Sequence, residues 1–342
     1  MPAISTRNDD TLNCGTGVTP VRDSTQQRDP SATAHSASHY RSGLLFGLFA
    51  YIWWGLVPLY FDALKDAGVP AWEILAHRIL WSLPVVLICT ALTGNWLDVF
   101  EVLRSRRLML TLLLSALLLT CNWMLYIYAA VSDRVTEASL GYFMMPLVNA
   151  ALATLFFKEK LRPAHYPALA LIAASVAIPS IVGGYLPWLA VSLTVSFGLY
   201  SLVRKKAPVD SLTGLTVESL LLLLPSAAYL LYLSAQGRNH MGPNWSTNGL
   251  IMFSGIVTVV PLLAFNISIR RIPLLAVSFL QFLSPTTQLL LAIYVIKRET
   301  LTPAMLAAFA CVWSAVAIFV ADALWQARSR RSAPREETVT AA

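Results

Sequence analysis

Glu159-Lys160-Leu161-Arg162-Pro163 and Glu299-Thr300-Leu301-Thr302-Pro303 both read Glu-x-Leu-x-Pro, 140 residues apart. Each copy sits in a short polar break between two long apolar runs. About ten such runs lie along the chain, so one copy of the repeat holds about five. An odd number of membrane crossings turns the second copy upside down relative to the first. Inverted repeats of this kind build many secondary transporters, with the substrate site near the midplane where the halves meet.

Composition supports a membrane reading. The chain is 56% hydrophobic and 13% charged, against roughly 25% charged for a soluble domain. A bilayer core of about 30 Å needs about 20 helical residues. The expected spans are 43–61, 73–93, 108–130, 137–157, 164–182, 186–203, 213–234, 248–267, 274–296 and 304–324. The fold class is therefore an all-α membrane protein of ten transmembrane helices, arranged as two inverted five-helix repeats over 43–183 and 184–325. Residues 1–42 read as a polar, aperiodic and disordered tail, and 326–342 as a second, shorter one.

The formal net charge is +7, and its placement separates membrane topology from nucleic-acid binding. With the N-terminus in the cytoplasm, nineteen Lys and Arg fall in the tails and inner loops and five in the outer loops. That is a positive-inside pattern, and it puts both termini in the cytoplasm. The four cysteines lack metal-ligand spacing. No metal, cofactor or nucleic-acid partner is expected.

The repeat holds at other points. His77 and Glu218 each precede a span proline, Pro84 and Pro225, by seven residues. Ionisable groups inside a span are costly, so each is a candidate for function. His77 and Glu218 are expected to line one polar cavity from opposite halves, with Arg78 as counter-charge to Glu218 or to an anionic substrate group. Glu218 or His77 could carry a coupling proton. Trp54, next to a glycine that admits a neighbouring helix, joins the substrate-binding candidates, as do Asn122 and Gln281. Trp123, Thr258, Ser284 and Gln288 are further polar or aromatic groups within spans. Glu159 and Glu299, at span exits, are expected to favour the positive end of the helix that follows each.

Longer stretches resemble a known family. They include Trp54-Gly55-Leu56-Val57-Pro58-Leu59-Tyr60-Phe61, Glu73-Ile74-Leu75-Ala76-His77-Arg78-Ile79-Leu80-Trp81-Ser82, Glu137-Ala138-Ser139-Leu140-Gly141-Tyr142-Phe143 and Gln281-Phe282-Leu283-Ser284-Pro285-Thr286. Together with the Glu-x-Leu-x-Pro pair, they resemble the RarD family within the EamA group of the drug/metabolite transporter superfamily. The likeness covers about 43–325. One departure is that Lys158 and Arg298 stand where family members often have Gly before the signature Glu. The resemblance implies a ten-span inner-membrane permease with both ends cytoplasmic. It brings no family-wide set of site residues with it.

The expected function is secondary transport of a small polar metabolite or amino-acid-like solute, with export the preferred direction. The partners are then the solute, membrane lipid and protons as the coupling ion. One alternative is a drug efflux carrier, although the first span has no acid before Asp62. Others are a membrane-embedded enzyme and a non-transporting accessory protein. The chain has no Gly-x-Ser-x-Gly elbow, no His-Glu-x-x-His helix and no Walker A loop, so it is not expected to be an enzyme.

Overall fold

The computed structural model describes residues 30–157, 163–242, 244–272 and 280–332. The chain forms two compact units, Met1–Ser38 and His39–Ala342. Of the first, the described part is helical from Pro30 to Ser38. The second holds the apolar helices.

Among the described residues this second unit is all helical. The helices are α1 Pro30–Asp66, α2 Ala71–Thr93, α3 Trp96–Arg104, α4 Arg106–Val131, α5 Val135–Phe157 and α6 His165–Ile181. Then come α7 Trp188–Lys206, α8 Ser211–Ala235, α9 Trp245–Arg271, α10 Leu283–Leu290 and α11 Pro303–Ser332. A π-helical turn, Leu291–Ile296, continues α10.

Among the described residues, six helical segments are long and apolar enough to cross a membrane: Tyr40–Asp66, Ala71–Thr93, Arg106–Val131, Leu212–Ala235, Trp245–Ile269 and Pro303–Asp322. Shorter apolar helices cover His165–Ile181, Trp188–Arg204 and Leu283–Ile296. Large apolar side chains face outward along these helices, among them Leu92, Leu117, Ile181, Leu224 and Leu231. In water such a surface would aggregate, whereas in lipid it is the solvated face. Trp72 and Trp188, at the N-terminal ends of α2 and α7, are exposed at the level expected of an interfacial belt.

Two expectations are corrected at the ends. α1 begins at Pro30, so residues 30–42 are helical rather than part of a disordered tail. α11 likewise runs to Ser332, past the expected end of its span. A third difference lies at 94–107, where the sequence predicts a loop and α3 forms. Gly94 ends α2 in the left-handed conformation, and its N–H and that of Asn95 cap the last carbonyls. Val99 and Val102 of α3 then bury against Leu112 and Val217 of α4 and α8.

Apolar burial does not hold helices together in lipid, so close approach through small residues matters more. Gly43 and Gly47 let α1 lie against Arg271, Ile272 and Ser268 at the end of α9, so this Gly-x-x-x-Gly pair packs within the monomer. Gly255 of α9 touches the backbone of Trp81 on α2, and a Cβ there would collide with the Trp81 carbonyl. That contact sets the seam in which the candidate site lies.

Candidate functional site

Arg78 sits on the second turn of α2, one turn before Trp81. Across the Gly255 seam its Nε donates to Thr258 Oγ1 of α9 at 2.7 Å. Thr258 in turn donates to the Ser254 carbonyl, 2.8 Å away, which fixes its rotamer. The guanidinium lies over the Trp123 ring of α4, 4.4 Å from its centroid, and 6.0 Å from the ring centre of Phe61 on α1. Tyr60, Tyr126 and Tyr142 are its electrostatic neighbours. The aromatic rings pack at steep angles, with Tyr126 5.9 Å from Phe61 and 5.6 Å from Tyr142. Among the described residues no carboxylate pairs with Arg78, and Thr258 accepts its one hydrogen bond. Five helices thus supply a cation in an aromatic box.

A second cluster lies at the N-terminal end of α2. Glu73 is fully buried. It accepts from the His240 backbone N–H at 2.7 Å and meets His240 Nδ1 at 2.7 Å. His77 Nε2 stands 3.7 Å away, and neither ring nitrogen of this buried histidine has a hydrogen-bond partner. His240 belongs to the α8–α9 connection, so Glu73 ties that connection to α2.

The third cluster lies at the N-terminal end of α8. Buried Glu218 accepts from Ser115 Oγ of α4 at 2.6 Å and faces Arg204 of α7 at 3.8 Å. Its Oε2 has no hydrogen-bond partner. Thr90 of α2 meets Thr216, two residues from Glu218, at 2.9 Å.

This geometry corrects the shared cavity expected for His77 and Glu218. Thr90 lies thirteen residues beyond His77 on α2, roughly 20 Å along the axis at 1.5 Å per residue. Glu218 is beside Thr90's end of α2, and His77 is at the other end. Both residues occupy the second turn of their own helices, and those two turns lie toward opposite ends of α2. The counter-charge of Glu218 is Arg204, not Arg78.

Asn122 and Trp54 have structural partners. Asn122 Nδ2 donates to the Leu193 carbonyl and to Ser196 Oγ, at 3.0 and 3.1 Å, tying α4 to α7. The Trp54 carbonyl accepts from Gln288 Nε2 at 3.1 Å, and its ring packs on Tyr51 and Phe265. Gly55 does admit a neighbour, Thr287. Gln281 is partly buried, just before α10.

Glu299 also differs from its expectation. It caps α5 rather than its own following helix, accepting from the Val135 and Thr136 N–H groups at 2.6 and 2.9 Å. Burial pushes its carboxyl above the usual range, partly offset by these bonds. Glu137 accepts from the Leu189 N–H at the start of α7, 2.8 Å away, and pairs with Arg134. Arg298 bridges Asp62 and Asp66, and Lys65 pairs with Asp133. Asp66 and Asp62 hold Arg298 above its ordinary range. Glu159 lies outside the described residues.

Sequence reasoning missed His240 and Arg204, which lie in a connection and at a helix end. Neither carried a signal, because only the fold brings them to a buried acid. The aromatic members of the Arg78 box were readable as residues but not as a set.

Comparisons with known proteins give the family. The model of the EamA-like transporter family matches residues 41–181. An uncharacterized transporter of Vibrio cholerae is 38% identical, covering 86% of this chain and 96% of its own length. Protein RarD of Escherichia coli K12 is 37% identical over 85% of this chain and 98% of its own. A crystal structure 21% identical covers 82% of this chain and 98% of its own at a TM-score of 0.54, a likeness of fold. The chain is a multi-pass membrane protein and belongs to the RarD-type members of the EamA-like transporter family.

Proposed function

We propose that this chain is a secondary transporter of the inner membrane that exports a small polar metabolite or amino-acid-like solute. Ten helices cross the bilayer as two inverted five-helix repeats, with both termini in the cytoplasm.

The helix pairing supports the repeat. α2 packs on α8, α5 on α10 and α6 on α11, so the second, fourth and fifth members of each half meet their own equivalents. Other pairs come in matching sets. α4 packs on α8 as α9 packs on α2. α4 and α5 lie against α7, as α9 and α10 lie against α1.

The observation that carries the transport reading is Arg78. An ionisable group inside a membrane helix is costly, and such groups mark substrate and ion pathways. Here it lies in the seam between the halves, with a closed polar cluster toward each end of α2. Glu73 with His240 closes one end and Glu218 with Arg204 the other. Two closures around one site suit alternating access. Proton coupling is assigned to Glu218, whose second carboxylate oxygen lacks a hydrogen-bond partner, with His77 as a second candidate carrier. Of the site candidates from sequence, Arg78 is retained for direct solute contact. Trp54 and Asn122 are reassigned to packing, and Gln281 stays a candidate.

The test is solute flux by purified protein in liposomes, using radiolabelled amino acids and small organic acids. Saturable flux above empty liposomes, lost in Arg78→Gln, is expected. No flux with any solute under either sign of pH gradient would contradict the reading.

A further inference from the structure

We propose that the Arg78 box takes the carboxylate of a small organic monoanion with a flat apolar body, and rejects cations. This narrows the solute of the transport reading from amino-acid-like compounds to organic monoanions, and rests on that reading for the ligand being cargo.

Charge selects the ligand class. A guanidinium has five N–H donors, and Arg78 uses one, on Thr258. The acids nearest in sequence and fold are engaged elsewhere: Glu73 by His240, Asp62 by Arg298, Glu137 by Arg134 and Glu218 by Arg204. The box therefore carries one unbalanced positive charge inside a membrane bundle. A ligand carboxylate neutralises it and matches the guanidinium fork with two parallel bonds. A dianion would leave a net negative charge in the same place. A lipophilic cation would add to the existing one.

One hydroxyl points to the same ligand independently of Arg78. Tyr126 Oη is a buried polar atom with no hydrogen-bond partner, on a residue 6% exposed. Tyr126 is an electrostatic neighbour of Arg78. Buried hydroxyls are normally bonded. An orphaned hydroxyl beside an unpaired guanidinium forms an incomplete receptor for an oxyanion. The rings of Phe61, Tyr126 and Tyr142 supply the apolar surface around the guanidinium that an aromatic body would pack on. Among the described residues no acid stands nearby to receive an ammonium group, and the Trp123 face is already covered by the guanidinium.

The probes are 3-phenylpropionate, its neutral amide and 2-phenylethylammonium, titrated calorimetrically into the purified full chain in detergent. The acid should bind at least about tenfold more tightly than the amide, the gain expected of a charge-assisted pair. The ammonium should give no binding heat. Arg78→Gln should abolish the preference, Arg78→Lys should keep part of it, and Tyr126→Phe should weaken the acid severalfold. Melting curves for each variant confirm the fold. Equal binding of acid and amide, binding of the ammonium, absence of acid binding at millimolar concentration, or an acid preference that survives in Arg78→Gln would each overturn the assignment. Flux separates the two readings. A protein that moves solutes in liposomes but binds acid and amide alike loses the anion site and keeps transport. One that prefers the acid but moves nothing loses transport and keeps the site.

Discussion

Arg204 and Glu218 show what a single buried pair implies. Ser115 satisfies one carboxylate oxygen, and Arg204 of α7 stands 3.8 Å away. Removing Arg204 alone leaves a buried charge without its partner, which costs about 3 kcal/mol in systems of this kind. Arg204→Gln should therefore lower the melting temperature in detergent more than the double variant Arg204→Gln/Glu218→Gln does. A double variant as unstable as the single would mean the pair is not coupled. Glu299 offers a pH test. Burial raises its carboxyl above the ordinary range, so the folded protein holds that proton more tightly than the unfolded chain. Stability from this group is present at low pH and lost as pH rises through the raised value. The melting temperature of wild type minus that of Glu299→Gln should thus increase as pH falls from 7 toward the carboxylate range. A difference that shrinks instead would reverse the assigned direction. At this scale the sequence shows which residues are unusual, because an ionisable group within an apolar run stands out. It cannot show their partners. Arg78 is visible in it, while Phe61, Trp123, Tyr126 and Tyr142 look like ordinary membrane aromatics until three other helices bring them together around the guanidinium.

Helix positions are largely legible, since long apolar runs between polar breaks leave few choices. α2 ends at Thr93, the residue at which its apolar run ends. α3 is not legible. Its nine residues are too short for a span and amphipathic enough to bury only Val99 and Val102. Register between helices is legible only through glycine. Gly55 marks the approach of Thr287, but nothing in sequence identifies Gly255 as the α2–α9 seam. Because a Cβ at Gly255 meets backbone, no side chain can move aside for it. Gly255→Val should cost on the order of 1–3 kcal/mol by overpacking, and should displace Thr258 from Arg78. The check is a lower melting temperature together with weakened binding of 3-phenylpropionate. A variant as stable as wild type would show that α2 and α9 are less tightly seated.

At the scale of the whole molecule, the proposed inversion is the organising relation. The Glu-x-Leu-x-Pro pair and the placement of basic residues point to it from sequence, and the matching helix pairs support it from the fold. The proposed inversion accounts for why His77 and Glu218, equivalent in sequence, end far apart: a two-fold axis in the membrane plane would exchange the two ends. Shared position in such a repeat becomes shared location only near the axis, and these two residues lie at opposite ends of α2. Reporter fusions decide the architecture directly. Fusions after residues 67, 98, 184 and 208, at the α1–α2 connection, in α3, and at the α6–α7 and α7–α8 connections, should read periplasmic, cytoplasmic, periplasmic and cytoplasmic. A periplasmic reading at 208 would place both halves in the same orientation and contradict the inverted repeat.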